Sequence, residues 1–162
     1  MYRRSLFHIS VIICNVLFLS SAFAQNDREV VDKGRYLITI AGCNDCHTAE
    51  YPESGGKVPE SQWLKGSPIG YQGPWGTTYP ANLRLSVANM SEEQFIVRSR
   101  SELLPPMPWF NLLAMSDDDL RAIYRYIENL GEPGGAAPAY VPPGVAPTTP
   151  YIVFVPQQAP TL

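Results

Sequence analysis

The sequence predicts an all-α domain, on three observations. Apolar or small residues between Arg28 and Ala41 recur every three or four positions. Ser91 opens a capping box, and Ser116 precedes a segment of the same period. The Gly-, Pro- and Ser-rich stretch from Tyr51 to Pro80 shows no sustained periodicity of either kind. A chain of 162 residues, 45% hydrophobic and 17% charged, has room for one ordinary domain with additions at its ends.

The N-terminus comes first. Arg3 and Arg4 precede a mostly apolar run from Ile9 to Leu19, then Ser20, Ser21 and the triplet Ala22-Phe23-Ala24. A positive start, a short apolar core and an A-x-A site are the parts of a secretory signal peptide, predicted over residues 1–24. The run is short for a bilayer span, the competing reading being an uncleaved N-terminal anchor, and no membrane span is expected in the mature chain. Cys14 lies inside the apolar run, behind Ile12 and Ile13 rather than small residues, and is not read as a lipidation site. Cleavage after Ala24 would remove two arginines, taking the formal charge from −3 to −5, and would also remove His8 and Cys14. An acidic chain without a Lys or Arg run lacks the footprint of a nucleic-acid binder.

In the first helix Val30, Gly34, Leu37, Ile38 and Ala41 form one face, with Asp27 as candidate cap and Gly42 as stop. The helix therefore delivers the chain directly to Cys43. The stretch from Tyr51 to Pro80, interleaved with Trp63, Tyr71, Trp75 and Tyr79, is expected to be a long irregular loop; loops of that length are uncommon unless something large holds them. Ser91-Glu92-Glu93-Gln94 has the form of a capping box and opens a short helix through about Arg100. Pro105, Pro106 and Pro108 then forbid helix and fix an extended segment around Met107. Ser116 followed by Asp117, Asp118 and Asp119 puts a cap and negative charge at the start of a last helix, whose stripe is Leu120, Ile123, Tyr124, Ile127 and Leu130, with Gly131 and Pro133 to end it. The predicted domain spans residues 25–133. Residues 134–162, with seven prolines from Pro138 to Pro160, are expected to be a flexible, polyproline-like tail whose exception is the apolar run Tyr151 to Val155, which either packs back on the domain, docks on a partner or stays disordered with the rest.

Within the mature chain the only two cysteines and the only histidine stand in one pentapeptide, Cys43-Asn44-Asp45-Cys46-His47. This is the C-x-x-C-H signature of covalent haem attachment. Two thiols spaced by one helical turn can each bond a vinyl group of one porphyrin while the adjacent imidazole is carried to the iron. Three other chemistries compete. A redox dithiol normally sits near a strand–helix–strand pattern, and none precedes Cys43. A zinc site would need a further Cys or His, and a plain disulfide leaves His47 without a purpose. With one histidine, a sixth iron ligand has to be a methionine, a weaker group or solvent. Met90 and Met115 are explained as apolar staples before Ser91 and Ser116, whereas Met107 stands in a stiff helix-free segment; Met107 is the expected axial ligand opposite His47. His/Met ligation raises the reduction potential and leaves no open position at the iron, which suits electron transfer rather than catalysis on a bound molecule. The competing class, a haem-based ligand sensor or peroxidase-like enzyme, requires such an open position. No internal repeat suggests a second haem.

These residues resemble the class I cytochrome c family. Gly34 and Tyr126 look like that family's small residue and aromatic partner at a crossing of first and last helices. More narrowly, Tyr36-Leu37-Ile38, Pro80-Ala81-Asn82-Leu83 and Pro106-Met107-Pro108-Trp109, followed by Ser116 to Tyr124, look like the cytochrome subunits of bacterial periplasmic dehydrogenases. The resemblance covers about Val30 to Leu130. It implies a cytochrome c-like helical domain wrapped around one haem c, an electron carrier or electron-transfer subunit in the periplasm. The implied redox partners are a dehydrogenase subunit and a terminal oxidase or another cytochrome. Arg84, Arg98, Trp63, Trp75 and Tyr79 are further candidates for contact with haem propionates or edge, because buried carboxylates need donors or cations.

Overall fold

The first helix, α1 over residues 25–40, turns inward the face its spacing marks: Gly34 and Ile38 are buried, and Val30, Leu37 and Ala41 are half-buried. The computed structural model describes residues 25–156 and residue 158, so the predicted leader, residues 1–24, lies outside the described residues. Asp27 falls inside α1 rather than at its cap, because the helix is already under way at residue 25. Gly42 stops it in the left-handed conformation (φ 69°), with its N–H on the carbonyl of Thr39.

The remaining helices are α2 (Cys43–His47), α3 (Leu83–Ala88), α4 (Glu92–Ser99), α5 (Trp109–Ala114) and α6 (Asp117–Asn129), with a 3-10 turn at Glu60–Gln62. Both predicted caps are present as reciprocal boxes, Ser91 with Gln94 and Ser116 with Asp119. Helix α6 buries Leu120, Ala122, Ile123, Tyr124, Tyr126 and Ile127, and crosses α1 at Gly34. The core gathers Ile38, Trp63, Leu64, Val87, Ile123, Tyr124, Tyr126 and Ile127. Lys33 of α1 holds Asp119 at 2.7 Å, and Glu92 of α4 takes Arg125 at 2.6 Å and Arg121 at 3.3 Å.

The bond from Lys33, together with that from Ser116, holds the Asp119 carboxyl down to about 2. An aspartate in the unfolded chain protonates near 4. The stabilisation is therefore complete above about pH 4 and fades as pH falls toward 2. Ser116→Ala is expected to cost about 1 kcal/mol in urea denaturation at neutral pH, and to make acid unfolding begin at higher pH; identical acid titrations followed by circular dichroism would sink this.

The all-α expectation needs correction. Strands β1 (Gly70–Gly73) and β2 (Gly76–Thr78) form an antiparallel hairpin, and β3 (Tyr151–Val153) adds to β1 in parallel, giving the order β2-β1-β3. These strands are three or four residues long, with glycine in β1 and β2, too short to show alternation, and β3 lies some eighty residues beyond its partner. The tail likewise is not the free polyproline segment its composition predicts. The amide of Asn82 donates to the carbonyls of Pro133 and Gly135, Val141 exchanges two backbone bonds with Thr77, and Tyr79 meets Thr149 at 2.7 Å. Proline removes donors from a strand, but an edge strand can place its prolines where no donor is needed. Here Pro150 offers its carbonyl to Gly70 and flanks β3 from outside.

Candidate functional site

Helix α2 is one turn and a half, and Gly42 sets its start: a Cβ there would lie 2.9 Å from the Asp45 carboxylate on a backbone with positive φ. Cys43, Cys46 and His47 are all half-buried, and the two thiols are not bonded to each other. Cys43 packs against the core cluster, and burial pushes its thiol up to about 11. A nucleophilic dithiol needs the opposite shift, toward the thiolate, so this environment disfavours the redox-dithiol chemistry. Among the described residues no three His, Cys, Asp or Glu side chains converge as a metal-ion site.

His47 is held from its far side. Its Nδ1 lies 2.7 Å from the carbonyl of Ala81. A carbonyl only accepts, so Nδ1 carries the proton and Nε2 keeps its lone pair. Burial lowers the imidazole's tendency to charge, with the Ala81 bond opposing it. The result is a neutral, oriented imidazole, the form that ligates a metal. Its own carbonyl accepts from Gly66 N at 2.8 Å, and Thr48 bridges to Gly66. Gly66 sits at φ 84°, where a Cβ would fall 2.9 Å from the Pro80 carbonyl. That close approach lets residues 80–82 reach the histidine.

Asn44, facing the core, accepts from the Thr48 hydroxyl, which in turn accepts from Leu64 N, both at 2.7 Å. Sequence reading singled out neither Asn44 nor Thr48, nor the Ala81 carbonyl or Gly66. A buried polar residue inside the signature carries no periodic signal, and backbone partners carry no residue identity.

Met107 stands on a separate, half-buried segment. The segment is linked to α2 through the hairpin. Tyr71 and Thr78 pair across β1 and β2; the Tyr71 hydroxyl lies 3.7 Å from Cys46 Sγ, and the Thr78 hydroxyl donates to the Pro105 carbonyl at 2.6 Å. Burial, then the Cys46 contact, pushes the Tyr71 hydroxyl up to about 12. Of the other methionines, Met115 packs on the core, and Met90 lines a cleft of about 360 Å³ between α3 and residues 136–138.

The secondary candidates separate cleanly. Arg84 is buried and gives its guanidinium to the carbonyls of Trp63, Leu130 and Glu60 at 2.7, 2.7 and 2.8 Å. Trp63 donates to Val58 and meets Tyr51 edge to face, Tyr79 bonds Thr149, and Arg98 is exposed. Those side chains are structural or free at the surface. Trp75 differs: its Nε1 is buried with no partner, as are Thr77 Oγ1 and Asn44 Nδ2.

No protein-family model matches the chain, and no solved structure matches it. Curated relatives do. The cytochrome c subunit of a quinone-dependent alcohol dehydrogenase from Gluconobacter oxydans is 28% identical over 120 residues, 65% of this chain and 23% of that protein. The fructose dehydrogenase cytochrome subunit of Gluconobacter japonicus is 30% identical over 115 residues, 64% and 22% of the two chains. The gluconate 2-dehydrogenase cytochrome c subunit of Pantoea cypripedii is 24% identical over 129 residues, 73% and 27%. In each case the match spans about a quarter of the relative's length. Over some two thirds of its length, then, the chain resembles the cytochrome c subunits of bacterial dehydrogenases.

Proposed function

We propose that the chain is an exported, monohaem c-type cytochrome that passes single electrons in a periplasmic respiratory or dehydrogenase-linked chain. Cys43 and Cys46 attach the haem, and His47 and Met107 are its axial ligands. The observation that carries this reading is the His47 geometry: an imidazole one residue beyond a C-x-x-C pair, with Nδ1 donating to a backbone carbonyl and Nε2 left to bind.

The residues present fit a c-type haem in three ways. The thiols lie one helical turn apart, the imidazole is neutral and oriented, and the buried donors Trp75 Nε1 and Thr77 Oγ1, both without a protein partner, are of the kind a propionate takes. A haem so held supplies a one-electron iron couple. The chain's own residues do the rest. His47 is fixed by Ala81, the thiols anchor the ring, and the Pro105–Pro108 segment presents a thioether. Leu104, Phe110 and Leu113 expose apolar surface on either side of Met107, a small face of the kind that brief redox encounters use. The relatives named as dehydrogenase subunits support a dehydrogenase as donor. No described helix is long and apolar enough to cross a membrane.

The intact mass of protein purified after export is expected to exceed that of the leader-free polypeptide by one haem, and Cys43→Ala with Cys46→Ala to abolish the gain. The ferric protein should show the weak long-wavelength sulfur-to-iron band. Met107→Ala should remove the band and lower the midpoint potential, since a thioether ligand raises it. An apo-polypeptide mass would end the reading outright. A band that survives Met107→Ala would overturn the ligand assignment, and a wild-type iron with an open position would favour a ligand sensor or peroxidase-like enzyme instead.

A further inference from the structure

We infer that the β1–β2 hairpin, completed by the C-terminal strand β3, is a brace that positions Met107 against the attachment helix, with Tyr71 and Thr78 as its positioning residues. The inference rests on the reading of Met107 as an iron ligand and assigns the Pro-rich tail a role in that ligation.

Tyr71 and Thr78 are opposite one another in the ladder. Side chains so paired stand about 5 Å apart at Cβ. From this one pair, Tyr71 reaches Cys46 Sγ in α2, and Thr78 reaches the carbonyl of Pro105, two residues before Met107. The Tyr71 hydroxyl is the donor toward sulfur. That direction is compatible with a thioether, which retains only an acceptor. The proline segment has a stiff shape of its own, but stiffness fixes shape and not place. Place comes from anchors such as the Thr78 bond.

A lone two-stranded hairpin is marginal in water. Here β3 supplies the third strand: Tyr71 pairs with Ile152, Gly70 N donates to Pro150, and Phe154 N donates to Gln72 at 2.8 Å. Phe154 then sets its ring edge-on to Tyr71 and Trp75, at centroid distances of 6.0 and 6.3 Å. The tail thus lies directly behind the residue that touches Cys46. Loss of the tail would return the hairpin to its marginal state and loosen the Thr78 anchor.

Imidazole added to the ferric holoprotein tests this, because it competes with Met107 for iron and its apparent affinity reports the fraction of molecules with the thioether off. Thr78→Val is expected to tighten apparent imidazole binding about fivefold, the worth of one hydrogen bond, and Thr78→Ser to restore it. Tyr71→Phe, which keeps the ring against Phe154, should tighten it about twofold, since sulfur is a weak acceptor. A chain ending at Gly135, or Phe154→Ala in the full chain should the truncated one not fold, should tighten it as well. The sulfur-to-iron band should weaken in the same order, with haem content by mass unchanged. Wild-type imidazole affinity in Thr78→Val and in the tail variants, with haem intact, overturns the brace. A wild-type protein that carries haem but lacks the sulfur band overturns the Met107 reading itself, and the brace with it.

Discussion

Gly34→Val is expected to destabilise the domain by about 3 kcal/mol or more in urea denaturation, a large share of the roughly 5–15 kcal/mol that holds a domain together. The cause is a backbone-to-backbone approach. A Cβ on Gly34 would lie 2.0 Å from the Ala122 carbonyl oxygen and 2.6 Å from the Tyr126 Cβ. Neither atom belongs to the free end of a side chain, so relief requires α1 and α6 to separate. Separation would also strain the links between the two helices, Lys33 to Asp119 directly and Arg35 to Tyr126 through the Glu60 carboxylate. Mid-helix glycine normally costs about 1 kcal/mol against alanine, so Gly34→Ala gains propensity and still loses overall. Gly135→Ala is the control, since a Cβ there meets nothing within 4 Å. Equal midpoints for Gly34→Val and wild type would mean that the helices do not cross as described.

The crossing at Gly34 and Tyr126 was expected from a family resemblance, whereas the longer helices were legible from the residues themselves, and the reason bears on what was not. Helices α1 and α6 announce themselves through their period, and α4 and α6 through their caps, because a helix is a local structure whose signals recur within a few residues. Helices α3 and α5 have six residues each, less than two turns, and give periodicity nothing to act on. The sheet is nonlocal: Tyr71 meets Ile152, and neither segment alone alternates long enough to declare a strand. The same division runs through the candidate site. Cys43, Cys46 and His47 are readable together because their chemistry requires adjacency in the chain. The carbonyl of Ala81, the space at Gly66 and the hydroxyls of Tyr71 and Thr78 reach the site from distant backbone, and no spacing rule connects them. Composition misled most at the tail. Pro-rich sequence forbids helix and central strand, but it does not forbid an edge strand of three residues lying between Pro150 and Pro156.

Arg84 poses the sharpest choice between a cofactor contact and a structural one, and a large loss is expected for the second. Its guanidinium is buried, and burial lowers its pKa, yet its hydrogen bonds go to three carbonyls on two separate stretches: Glu60 and Trp63, which begin and cap the 3-10 turn, and Leu130 at the end of α6. The planar fork of an arginine presents donors in diverging directions, which an ammonium does not. Arg84→Met would leave three acceptors without that donor at about 1 kcal/mol or more each, partly offset by sparing a buried charge. A loss of about 2–4 kcal/mol is therefore expected in urea denaturation. Arg84→Lys should fall well short of rescue, because one ammonium on a flexible stem cannot span all three carbonyls. The midpoint potential separates the two roles. A guanidinium facing a propionate would shift it strongly on neutralisation, whereas a clamp between the 3-10 turn and α6 should leave the potential of Arg84→Met near that of wild type while stability falls. Retained stability with a displaced potential would reverse the assignment and return Arg84 to the haem.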